Sequence, residues 1–205
     1  VSLPDDAESA AHFTRRFESF TDVVFGFSLS FLAGRLLIPA DAHDIFAQPA
    51  GIIGFLISFG FLAALWMLNH RMFRYYFAPT VPDIVLVFVE LCGVALIPYA
   101  LQVFLRFPND AVGFSFYVFV YAAILASSAV VGFRGFRRNW QNWNLDSRIR
   151  RWHTPLIQSA AATLLALSAS LSLAGVAHAQ WVSLLIPLVI AGLRRLRILP
   201  AYARS

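Results

Sequence analysis

Residues 16–39 read RFESFTDVVFGFSLSFLAGRLLIP. The apolar run inside them, Val23 to Gly34, is 12 residues long and is closed by Asp22 and Arg35. A membrane-crossing helix needs about 20 mostly apolar residues. The run alone is too short, but a helix from about Phe17 to Ile38 is long enough if it bears Asp22 and Arg35 near its ends. Pro39 would then stop it, because proline cannot continue a helix. Whether this segment spans sets the topology of everything after it.

The rest of the chain is less ambiguous. Of its 205 residues, 59% are hydrophobic and 13% charged. An ordinary soluble chain has about 45–50% and 25%. This composition excludes a disordered chain and points to a polytopic all-α membrane protein. Gly51 to Asn69 is free of charge and is closed by His70, Arg71 and Arg74. Ile84 to Leu105 lies between Asp83 and Arg106, with Glu90 as its one charge. Val112 to Phe133 lies between Asp110 and Arg134. Thr154 to Leu193 has no charged residue and is about twice the length of one span, so it reads as a helical hairpin. Its turn is expected near Leu173 to Gln180, where Gly175, His178 and Gln180 cluster. One domain of six helices follows, with spans near 17–38, 50–70, 83–105, 112–134, 154–174 and 178–197. Internal repeats are not evident.

The basic residues favour six spans over five. All 16 are arginine, against 11 acidic residues, and the net charge is +5. With six spans, one side holds Arg15, Arg16, Arg71, Arg74, Arg134, Arg137, Arg138, Arg148, Arg150, Arg151, Arg194, Arg195, Arg197 and Arg204. The other side holds Arg35 and Arg106. That asymmetry is the positive-inside pattern for both termini in the cytoplasm. The stretch Arg134 to His153, with Trp140, Trp143 and Trp152, reads as a cytoplasmic interfacial loop. A pI near 10 also raises nucleic acid as a partner. Arginine and tryptophan at a membrane surface account for the same residues, so none is expected.

Other signals are thin. The start, Val1 to Asp6, is acidic and lacks the basic region of a secretory signal. The absence of an initiator Met suggests a trimmed or processed start. Cys92 lies in an apolar stretch and reads as a small buried residue. There is no Gly-rich phosphate loop, HExxH, GxSxG or Cys/His zinc pattern. Asp41, His43 and Asp44 could ligate a metal, but a solvated loop explains them better, and no metal is expected.

The start of the first helix carries the chemistry. Charges within membrane segments cost about 2.5–3.5 kcal/mol on insertion scales and normally face the bundle interior in pairs. Arg16 and Asp22 lie six apart, so Asp22 is expected to contact a neighbouring helix, with His70 and Trp66 as candidates.

Arg16, Phe20, Thr21 and Asp22 resemble the signature Arg-x-x-x-Phe-Ser-Asp of the bacterial members of the transmembrane protein 175 family of potassium channels, with Thr for Ser. Trp66-Met67-Leu68-Asn69-His70-Arg71-Met72-Phe73 resembles the family's Trp-x-x-x-His ending of the second helix, and Pro98 also fits. The resemblance implies six-helix subunits assembled as a homotetramer around one pore. The first helix lines that pore, and there is no TVGYG filter. It implies potassium conduction through an apolar constriction with a nearby ring of hydroxyls. By position, the constriction falls on Phe27, then Phe31 and Gly34, and the polar layer on Ser30. These positions share one helical face. Phe stands where the family has Ile or Leu. Rings there would narrow the pore or seal it by dewetting; plain packing is the alternative. Arg16, Phe20, Thr21, Asp22, Trp66 and His70 would form the network that fixes the first helix.

Three residues stay open at this level. Glu90 is either a proton or cation site or a structural, hydrogen-bonded acid. His70 is either a pH-sensitive group or a partner joining the first two helices. Arg35 reads as an outer-mouth or snorkelling residue. The expectation is a homotetrameric, potassium-permeable channel of the bacterial inner membrane, with membrane lipid and a monovalent cation as its other partners. No catalysis and no cofactor are expected. The alternatives are a proton-coupled secondary transporter using Glu90 and a non-conducting membrane scaffold.

Overall fold

The computed structural model describes residues 6–34, 36, 41, 49–186 and 192. Five long helices follow in order: α1 (Ala7–Gly34), α2 (Pro49–Tyr75), α3 (Val81–Arg106), α4 (Ala111–Arg138) and α5 (Leu145–Leu173). A short 3-10 helix, Ala179–Leu184, comes after them. Among the described residues, four helices are long and apolar enough to cross a membrane, from Gly51–Tyr75 to Arg151–Leu173. The polar residues of α1 keep it out of that set, as its short apolar run foreshadows. The described residues thus support an all-α membrane protein without counting six spans. Half of the sixth expected span, 178–197, lies outside the described residues.

Local chemistry sets the boundaries. Asp6 caps α1, accepting from Ser9 N at 2.6 Å. The helix therefore starts ten residues before the expected 17, and its 28 residues rise about 42 Å. Pro82 sits in the first turn of α3, where its missing N–H costs nothing. Asp110 caps α4 through Val112 N, and Asn144 caps α5 through Ser147 N. The cap at Asn144 corrects the reading of 134–153 as a loop. Helix continues to Arg138 and resumes at Leu145, leaving a short connection. The turn after α5 has left-handed backbone at Gly175 and at His178, φ 77° and 62°.

Contacts between helix ends show antiparallel neighbours. The start of α1 meets the end of α2, the start of α3 meets the end of α4, and the start of α5 meets that same end. One end of the bundle therefore gathers the described arginines other than Arg106. α4 lies between α3 and α5, while α1 packs on α3 and α2. The core runs through Phe25, Leu62, Val87, Val94, Ile97, Ile124 and Val131. Small residues allow close approach, as membrane helices require. Gly132 faces Pro155, and Gly93 faces Ile124. Gly135 lies against the backbone of Tyr76, so close that any Cβ there would overlap its carbonyl.

Asp83, fully buried at the start of α3, locks this arginine-rich end. Its Oδ1 accepts from Arg134 Nε at 2.7 Å and its Oδ2 from Arg138 Nη2 at 2.5 Å. Arg138 Nη2 also donates to Tyr76 O at 2.7 Å, tying in the turn between α2 and α3.

Candidate functional site

α1 has two unlike faces. Phe17, Thr21, Phe25, Ser28 and Leu32 turn inward and are buried. Their spacing of three and four is that of one helical stripe. Phe17 anchors it, with ring centroids 5.4–5.8 Å from Phe73, Phe77 and Phe88. The outward face carries Val23, Phe27, Ser30, Phe31 and Gly34, all exposed. Phe27 and Phe31 are each 62% exposed, among the most exposed large apolar side chains described, and are left for lipid or another chain to cover. Ser30 Oγ donates to Gly26 O at 3.0 Å. Its proton is thus used within the helix, and its lone pairs remain free to face outward as acceptors.

Behind that face, three residues of α1 meet three of α2. Asp22 Oδ1 accepts from Trp66 Nε1 at 2.8 Å. Glu18 Oε1 lies 2.8 Å from His70 Nδ1. Thr21 Oγ1 lies 3.2 Å from Asn69 Oδ1 and 2.7 Å from Glu18 O. Residues 18, 21 and 22 form one face of α1, as 66, 69 and 70 do of α2, and antiparallel packing pairs them in reverse order. Trp66 also stacks on His70, with centroids 6.4 Å apart.

The contact extends to a third helix. Asn69 Nδ2 donates to Glu90 Oε1 on α3 at 3.4 Å. Thr21, Asn69 and Glu90 are almost wholly buried, so a polar line crosses α1, α2 and α3 inside the chain. Glu90 Oε2 has no hydrogen-bond partner among the described residues. An acid placed this way is disposed to join helices rather than to face a water-filled path.

The structure brings Thr21, Asp22, Trp66 and His70 together but separates two motif residues from the network. Arg16 is exposed and makes no hydrogen bond or ion pair among the described residues. It lies about 20° from Phe27 around the helix, at ~100° per residue, so it shares the outward face. Phe20 is half exposed and packs on Phe17 and Phe88 instead of joining the polar contacts. Glu18 and Asn69 were missed from sequence. The available signal was their position on the same faces as Asp22 and His70. Cys92, expected to be buried, is exposed on α3. Arg35, His43 and Asp44 lie outside the described residues. Among the described residues, no three His, Cys, Asp or Glu side chains group as a metal site.

The polar line makes a testable claim. Asn69→Leu strips Thr21 and Glu90 of a buried partner and is expected to cost about 1–3 kcal/mol. Glu90→Gln keeps the shape and is expected to stay near wild type. Thermal unfolding in detergent compares the two, and a larger loss in Glu90→Gln would overturn the ranking.

Membrane-length helices and a first helix with a polar inner lock and an apolar outer face define a multi-pass helical membrane protein. Over residues 16–98, from the first motif through α2 to Pro98, the chain matches the family model described as endosomal/lysosomal potassium channel TMEM175. A crystal structure of a threonine-to-alanine variant of the potassium channel MtTMEM175, in complex with a nanobody–MBP fusion protein, is similar in fold. Its TM-score is 0.62, over 93% of each chain, at 16% sequence identity. A comparison with curated proteins found no match.

Proposed function

We propose that this protein is a potassium-permeable cation channel of the TMEM175 family. In this reading, six-helix subunits assemble as a homotetramer in the bacterial inner membrane, with both termini in the cytoplasm and α1 lining the shared pore. Phe27, Phe31 and Gly34 form the constriction, and Ser30 the polar layer. Transport is passive, with no catalytic step and no cofactor.

One observation carries the proposal. The part of the chain that matches a potassium-channel family takes in residues 16–34 of α1, whose unpartnered side presents Phe27, Ser30, Phe31 and Gly34 together. A shared axis would cover those rings, and the Asp22–Trp66 and Glu18–His70 contacts would hold α1 in rotation about it. The transporter reading finds less support, because Glu90 is enclosed within one subunit.

The test is flux from liposomes holding the purified protein, with reversal potential read in a potassium/sodium gradient. Passive potassium flux, unaffected by a proton gradient, is the expected result. Saturable uptake driven by protons and lost in Glu90→Gln would favour a transporter. No flux in wild type and in Phe27→Ala would favour a scaffold. A monomer after mild extraction would sink the shared pore.

A further inference from the structure

At the arginine-rich end, three guanidinium groups are held against aromatic rings and meet no carboxylate among the described residues. Arg151 lies between Tyr75 and Trp143, its Cζ 4.5 Å and 4.3 Å from the two ring centroids. Arg74 reaches the same Tyr75 ring at 5.5 Å, so two like charges share one ring. Arg148, nearly one turn before Arg151, lies 4.6 Å over Trp140, and its Nε is buried without a hydrogen-bond partner. None of these three guanidiniums has an ion pair or hydrogen bond among the described residues. Asp83, the buried acid nearby, is occupied by Arg134 and Arg138.

Stacking occupies the flat faces of a guanidinium and leaves its N–H edge, whose fork matches two phosphate oxygens. Gathered, unneutralised positive charge is unfavourable unless an anion completes it. The depth of the cluster says which anion. Arg74 lies five residues after the charge-free run Gly51 to Asn69, and Arg151 three residues before the charge-free run that begins at Thr154. The guanidiniums therefore sit where hydrocarbon gives way to headgroups. Trp140 and Trp152 are partly exposed beside them, as tryptophan is at that boundary.

We propose that Arg74, Arg148 and Arg151 bind the phosphate of an anionic phospholipid headgroup at this membrane face. Binding joins α2 to α5 through the lipid and does not require that the protein conduct potassium.

Native mass spectrometry of the delipidated full-length protein tests this. Phosphatidylglycerol, phosphatidylcholine and inorganic phosphate are added separately. Wild type is expected to retain phosphatidylglycerol in preference to phosphatidylcholine and to ignore inorganic phosphate at equal concentration. Arg74→Gln with Arg151→Gln is expected to weaken phosphatidylglycerol binding roughly twenty-five-fold, about fivefold for each charge at the surface. Arg137→Gln removes an exposed charge at the same end but outside the stacked set, and is expected to weaken binding clearly less than Arg74→Gln alone does. An equal loss in Arg137→Gln would mean diffuse attraction and overturn the site. Inorganic phosphate competing as well as lipid would overturn the lipid assignment. Where the double variant fails to fold, Arg74→Gln alone is expected to lose about fivefold, and undiminished lipid retention there counts against the proposal.

Discussion

Phe27→Ala is expected to raise potassium flux through the reconstituted protein by at least about tenfold, a change that needs only about 1.4 kcal/mol off the barrier. Phenyl rings facing one another across a narrow axis exclude water, and an ion must shed hydration to pass such a gap. Replacing them with methyl groups widens and wets that level. Phe31 lies one turn further along the same face, so adding Phe31→Ala is expected to abolish residual preference for potassium over sodium. Both side chains are largely exposed on the subunit, so truncation opens no cavity in its core. Phe59→Ala on α2, also an exposed aromatic, is the control and is expected to leave flux unchanged. Flux and reversal potential from liposomes supply the readout. Wild-type values in both Phe27→Ala and the double variant would place the aromatic stripe away from the axis.

The largest expected effect on stability comes from the opposite kind of change, a single added methyl. In Gly135→Ala the new Cβ overlaps the backbone carbonyl of Tyr76, which no rotamer change can relieve. Moving Tyr76 disturbs the bond from Arg138 to its carbonyl, and with it the hold on Asp83. It also disturbs the bond from its hydroxyl to Arg151 O, 2.8 Å long. The cost belongs at the upper end of overpacking, about 3 kcal/mol or more. For a chain of this size that is a fall of about 6–12 °C in Tm. Gly60→Ala, where an added Cβ meets nothing within 4 Å, gains helix propensity and is expected to melt at or above wild type. Equal melting of Gly135→Ala and wild type, read by thermal unfolding in detergent, would refute the close contact.

The two predictions differ in how far the sequence alone could reach them. The outward set Phe27, Ser30, Phe31 and Gly34 lies on one stripe by helical period, and period is a property of a single segment. The charges bounding short and long apolar runs likewise told membrane from soluble protein, and the arginines marked one end of the bundle. The pairing of Asp22 with a residue of α2 was also within reach, since a charge in that position needs a partner and Trp66 stood in the matching motif.

What the tertiary structure decided was which faces meet. Nothing in the spacing of α3 and α4 says that Asp83 will meet Arg134 and Arg138 rather than water. Nothing near Gly135 says that a carbonyl 59 positions earlier will press on it. Glu90 could have faced a water path or a neighbouring helix; only the rotation of α3 against α2 turned it toward Asn69. Arg16 shows the reverse, a motif residue that the fold leaves on the outward face. Hydropathy and period sum over neighbours along one helix, so they are legible in order along the chain. Contacts between helices depend on crossing angle, rotation and depth, which arise only when all the faces compete for burial at once.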